Sequence, residues 1–141
     1  MLMQDEAAIQ RACSALVSRY AYLNDERRFE ELAALFTDDA ALYRPSAPTV
    51  AIQGREAILA AFRKRPADTM TFHVCSDILV EVDSDSAARA RSRILLLSAA
   101  RPADGAVPQS GAPVPGVFAD LLVLTPQGWK FAERRGSFWI A

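Results

Sequence analysis

The sequence predicts an α+β domain in which three helices precede an antiparallel sheet and pack on it. Three observations carry this expectation. Apolar residues recur at helical spacing in the first part of the chain, the period changes to two beyond residue 70, and short turns join most of the later segments. A chain of 141 residues accommodates one such domain, residues 1–141, and 51% hydrophobic against 23% charged residues is a balance that can bury a core.

Between residues 5 and 24, Ile9, Ala12, Cys13, Leu16, Tyr20 and Leu23 form the stripe of an amphipathic helix. The pattern breaks at Asn24 and Asp25, and either side chain offers a cap for a second short helix burying Phe29, Leu32, Leu35 and Phe36. Residues 40–44 read as a short strand that stops at Pro45, because proline lacks the donor a ladder requires. A second extended piece, residues 50–53, leads through Gly54 into a third helix, residues 55–65, with Ile58, Ala61 and Phe62 on its apolar face and Pro66 beyond its end.

Strand periodicity follows. Phe72, Val74, Ile78, Val80 and Val82 alternate with Thr71, His73, Cys75, Asp77 and Leu79, which predicts one long strand with the first set on one face. The turn formers at 83–86 then give way to residues 87–100, where Ala90, Ser92, Ile94 and Leu96 lie opposite Arg89, Arg91 and Arg93. Residues 101–115 contain four prolines and two glycines without a period, so they predict an exposed connection. Two last strands, residues 116–124 and 129–140, are joined by the turn at 125–128.

Sixteen Lys+Arg against 17 Asp+Glu give a net charge of −1, too little field to attract a phosphate backbone, so no nucleic-acid partner is expected. No stretch approaches the roughly 20 apolar residues that span a bilayer. Acids near the N-terminus argue against a signal peptide, so a cytoplasmic protein with no membrane association is expected. Cys13 and Cys75 lack metal-ligand spacing and read as free thiols; one histidine among scattered acids is a weak ligand set, so neither metal nor cofactor is expected. The glycine-rich phosphate loop, the Gly-x-Ser-x-Gly elbow and the His-Glu-x-x-His helix are all absent.

Residues 20–40, YAYLNDERRFEELAALFTDDA, together with GREAI at 54–58, FHV at 72–74 and GWKFAERR at 128–135, closely resemble the SnoaL-like, or nuclear-transport-factor-2-like, superfamily. The resemblance implies a cone-shaped α+β barrel, with the helices on a curved antiparallel, mixed-edge sheet around one pocket. Within the superfamily the pattern is most similar to the scytalone dehydratase and lindane dehydrochlorinase branch, whose members use a His-Asp dyad. Matched by position, that dyad falls on His73 and Asp25, and an active-site tyrosine of the dehydratase falls on Tyr43. His73 is the only histidine, so the dehydratase's second histidine has no counterpart, which argues against a scytalone-specific enzyme.

These residues suit proton abstraction. A histidine, with an unperturbed pKa of about 6.5, can take an acidic C–H proton near neutrality. A carboxylate bonded to the ring would fix its tautomer and steady the imidazolium, and a phenol could donate to the developing oxyanion. The resemblance thus implies His73 as base, Asp25 as its partner and Tyr43 as donor, while the apolar side chains of Tyr20 and Phe62 are expected to line the substrate pocket, with Arg134 as a further substrate-binding residue. Arg134 or Arg135 would bind an anionic group or form a surface ion pair.

The function expected is a cofactor-free lyase or isomerase acting on a small apolar cyclic substrate. Residues 23–32 also resemble the structural β subunit of aromatic-ring-hydroxylating dioxygenases, so a non-catalytic partner role or a small-molecule-binding module are the alternatives. The apolar alternate face of the long strand suggests a homodimer or homotrimer.

Overall fold

The computed structural model describes residues 5–140. The expectation about a signal peptide falls partly on residues 1–4, outside the described residues. Helix α1, Glu6–Asp25, starts where the Asp5 side chain accepts from the Ala7 N–H, and its apolar stripe buries Ile9, Cys13, Leu16, Val17, Tyr20 and Leu23. Helix α2 is a single turn and a half, Phe29–Ala33. Phe36, which the helical pattern claimed for α2, opens strand β1, Phe36–Tyr43, after the Phe131 N–H donates to the Leu35 carbonyl and draws the chain alongside the last strand.

Strand β2, Ala51–Gln53, pairs with β1, and Gly54 then turns the chain into α3, Arg55–Arg63. The remaining strands are β3, Thr69–Val82; β4, Ala87–Ala100; β5, Val114–Thr125; and β6, Gly128–Phe138. They form one six-stranded sheet in the order β2-β1-β6-β5-β4-β3, antiparallel except for the β1–β6 pair. This is the mixed-edge α+β architecture that the sequence predicted. The sheet is curved and unclosed, with α1 lying against β3 across its concave face.

The core lies between the helices and the inner face of the sheet. Ile9, Cys13 and Val17 of α1 meet Phe36 and Leu42 of β1, Ile58 of α3, Leu122 of β5 and Phe131 of β6, all essentially without exposure. Burying each of the larger side chains stabilises the fold by about 1.5–3 kcal/mol, against the entropy of ordering the chain.

One expectation about strand faces needs correction. β3 does not hold a single alternation along its length: the pairing with β4 slips between Ser76 and Leu79, where Asp77 adopts a φ of 53°. This bulge inserts one residue and reverses the inward set. Before it, Thr71, His73 and Cys75 face the helices while Phe72 and Val74 face outward; after it, Ile78, Val80 and Val82 turn inward and pack against the core. The apolar set that seemed to share one face is therefore divided between two. The last strand also ends at Phe138 rather than at residue 140, leaving Trp139 72% exposed.

Gly136 is required by close approach. A Cβ there would stand 2.7 Å from the Phe118 ring and 2.7 Å from the Pro45 ring, so neither β5 nor the chain leaving β1 could keep its place. Gly136→Ala should lower unfolding free energy by about 1–3 kcal/mol, measured by chemical denaturation, whereas Gly128→Ala, with open space around it, tests the cost of its φ of 105° alone.

Candidate functional site

The sequence-predicted dyad begins at the end of α1. The helix ends in a Schellman motif: Arg28 N–H donates to the Leu23 carbonyl, Arg27 N–H to that of Asn24, and Arg27 itself takes the left-handed φ of 58°. Glycine would hold this conformation more cheaply, but the Arg27 side chain donates to the carbonyls of Thr69 and Arg65 and ties the helix end to the α3–β3 connection. Asn24 accepts from Arg65 at 2.6 Å, tightening the same joint.

Asp25 is thereby held over β3 as the last residue of α1. A carboxylate at a helix C-terminus opposes the helix dipole at a cost of about 0.3–1 kcal/mol. Three hydrogen bonds outweigh it. His73 N–H donates to Oδ2 at 2.7 Å, Thr71 Oγ1 to Oδ1 at 2.8 Å, and His73 Nδ1 lies 2.6 Å from Oδ1. An ionised carboxylate only accepts, so the Nδ1 proton belongs on the ring and Nε2 is the nitrogen with a free lone pair. The two side chains retain 9% (His73) and 18% (Asp25) exposure, sheltered without being sealed. Asp25 therefore spends its carboxylate on β3; the helix cap considered for it is absent, since α2 has no side-chain cap bond at all.

The other sequence candidates are distributed differently. Tyr43 alternates with the buried Leu42 and so faces the outer side of the sheet, where the Arg135 guanidinium lies 4.0 Å from its ring centre. It is not brought to the dyad. Arg135 is also bonded to Glu133 on that exposed face, which fits the surface ion pair weighed for this position. Phe62 is core, only 2% exposed, stacked on Phe29 and edge-on to Tyr20. Tyr20 stands at the centre of the molecule, edge-on to Phe36, Phe62, Phe118 and Phe131.

Arg134 is buried, at 1% side-chain exposure, opposite Asp120 at 0%. Its guanidinium carbon lies 3.8 Å from the Phe118 ring centre, 4.2 Å from Tyr20 and 4.7 Å from Phe131. Charge attraction with Asp120 is present at 3.3 Å, but the two groups are misaligned, and neither Asp120 oxygen nor Arg134 Nε makes a hydrogen bond. Asp120 was not foreseen, although it sits at the inward parity of β5 between Phe118 and Leu122, where a polar residue is anomalous. Burial pushes its carboxyl up to about 6, against the pull of Arg134. Burial likewise raises the Cys13 thiol to about 11 and also raises that of Cys75, as inert free thiols.

Among the described residues, no group of three or more His, Cys, Asp and Glu stands together as a metal site, and no helix is long and apolar enough to cross a membrane. Around Tyr20 the interior is occupied by aromatic rings and the Arg134 guanidinium. A hollow of about 700 Å³ opens between β2 and α3, with Arg44 and Arg65 on its wall. Another, of about 830 Å³, lies on the outer sheet face among Arg91, Arg93, Arg135 and Trp139.

A curved, unclosed six-stranded sheet packed on three helices defines the class of small cone-shaped α+β barrels. Residues 4–135 match the SnoaL-like domain profile, and the chain belongs to that family. Among curated proteins, none matches the sequence. Solved structures do. A provisionally assigned scytalone dehydratase from Novosphingobium aromaticivorans is 25% identical, with 96% of this chain and 87% of that one covered and a TM-score of 0.82. A protein from Catenulispora acidiphila is 27% identical over 94% of this chain and 93% of its own, with a TM-score of 0.73. An NTF2-like protein with a cystatin-like fold, also from N. aromaticivorans, is 23% identical over 97% and 92%, with a TM-score of 0.74, and bears on the fold alone.

The site makes a prediction about pH. Asp120 has a folded pKa above its ordinary value of 3.8, so its contribution to stability is full below 3.8 and is lost as pH rises to about 6, being constant above. The groups acting on or near it are Arg134 from β6, Tyr20 from α1 and Cys75 from β3. Across that window, wild-type stability should fall by a few kcal/mol relative to Asp120→Asn, measured by denaturant titration at each pH.

Proposed function

We propose that this protein is a cofactor-free lyase or isomerase in which His73 removes a proton from carbon and Asp25 orients and steadies the ring. The observation that carries this reading is the 2.6 Å bond between Nδ1 and Oδ1, reinforced by the second carboxylate oxygen on the His73 backbone N–H. The double grip fixes both the tautomer and the ring position, as a base poised to act through Nε2 needs. The similarity to a provisionally assigned scytalone dehydratase supports the reaction class.

The step is a proton transfer. Nε2 accepts the C–H proton as its electron pair moves toward an adjacent carbonyl, and the imidazolium, steadied by Asp25, returns the proton to carbon or to a departing oxygen. With Tyr43 on the outer face, the donor that receives the developing oxyanion must come from the inner face. An apolar cyclic substrate suits a dyad that stands beside a largely apolar interior.

Self-association belongs to the same reading. Phe72, Val74, Leu79, Leu95 and Leu121 project from the outer face of the sheet with 42–64% exposure, an apolar area that a second copy of the chain would cover. Light scattering should give at least a dimer; a concentration-independent monomer contradicts the association.

For the reaction, solvent-deuterium incorporation into a panel of enolisable cyclic ketones, followed by NMR, should fall about 100-fold or more in His73→Ala. Asp25→Asn should reduce it less, with folding kept in both. Exchange that survives His73→Ala at the wild-type rate excludes His73 as the base.

A further inference from the structure

The hollow of about 700 Å³ between β2 and α3 has charge of one sign. Arg44, Lys64 and Arg65 line it together with the Gln53 amide and the alanines of α3, and no carboxylate lines it. Lys64 and Arg65 have a structural reason to be there, since cations just past the end of α3 complement its dipole. Arg44 has no such reason. It continues the inward parity of β1 beyond Ala40 and Leu42, both without exposure, and its side chain makes no hydrogen bond or ion pair among the described residues. Its Nε is buried and unbonded, at a cost of about 1–3 kcal/mol for such a group.

The positive charge is poorly compensated by the protein itself. Burial lowers the pKa of the Arg65 guanidinium, and the charges of Arg27 and Arg44 push it the same way, opposed by Tyr20 and the carboxylate of Asp25. That carboxylate is already spent on three donors of β3, and the acids nearby in the chain are taken as well: Glu30 by Arg63, Glu26 and Glu31 by Arg28. Arg65 donates to Asn24 and Thr71, so it lends the hollow charge, while the unspent N–H groups belong to Arg44 and Lys64. Like charges gathered in one hollow repel, and a bound anion relieves that repulsion.

We infer that this hollow binds a small organic anion with a flat apolar body, held at its carboxylate by Arg44 and Lys64 and seated with its ring on α3. The planar guanidinium of Arg44 matches a carboxylate edge to edge, and Lys64 adds a second positive charge. Ala57, Ala60 and Ala61, at helical spacing, present a low apolar surface with no long side chain standing over it, and the volume lies in the range of about 300–1,000 Å³ usual for small-molecule pockets. A bare inorganic anion would leave that surface uncovered. The site does not depend on the reaction at His73.

The test is binding of benzoate and 1-naphthoate, their neutral amides, acetate and inorganic phosphate, by calorimetry and thermal shift at fixed ionic strength. At least one ring carboxylate should bind and raise the melting temperature, while its amide does not and acetate and phosphate bind about tenfold more weakly or less. Arg44→Gln should weaken the ring carboxylate by about tenfold, and Lys64→Gln should weaken it less. Ala60→Leu, at an exposed position of α3, fills the hollow and should block binding with folding kept, which decides the matter if Arg44→Gln does not fold. Arg11→Gln, exposed on α1 and outside the hollow, and His73→Ala should both bind as wild type does. No binding by either ring acid, equal binding of acid and amide, phosphate as tight as the ring acid, wild-type affinity in Arg44→Gln or Ala60→Leu, or an equal loss in Arg11→Gln overturns the site.

Discussion

The carboxylate of Asp25 joins two parts of the molecule that chain connectivity leaves 48 residues apart. It stands at the least favourable end of a helix for a negative charge, and three donors from β3 hold it there. Each charge-assisted bond contributes about 1.5–3 kcal/mol, so the contact exceeds the dipole penalty several times over. The left-handed turn at Arg27, clamped to Arg65 and Thr69, keeps the helix end from retreating. The position of the imidazole therefore follows from how α1 stops.

Around this contact the interior divides by chemistry. Ile9, Phe36, Leu122 and Phe131 are without exposure and supply the burial that holds helices and sheet together. Against these rings Arg134 and Asp120 keep an ion pair whose geometry leaves polar atoms of both unbonded. Replacing such a pair by well-packed apolar residues is often neutral or stabilising, so its presence at the site is poorly explained by stability.

Most of the architecture was legible in the sequence. The α1 stripe and the β4 alternation stand where the periods put them, because each element buries one face only and repeats it many times. The bulge at Asp77 was not legible: a period-2 count assumes an unbroken pleat, and one residue in the left-handed region reverses every side chain beyond it. Phe36 was misplaced because an apolar residue at the right spacing serves a helix or the strand after it equally well. His73 and Asp25 emerged from resemblance, since nothing local signals a contact between a helix end and a distant strand. Tyr43 was matched by position, yet the pleat of β1 turns it outward with Arg135. The signal for Asp120 was present, an acid at inward parity in an apolar strand, and only the partner strand revealed Arg134 opposite it.

Because His73 is the only histidine in the chain, its ring can be observed by nitrogen-15 NMR without assignment ambiguity. The account predicts one imidazole in the Nδ1–H tautomer, with a proton protected from solvent exchange in the wild type and released to fast exchange in Asp25→Asn. A ring in the Nε2–H tautomer, or one whose proton exchanges equally fast in both proteins, would contradict it.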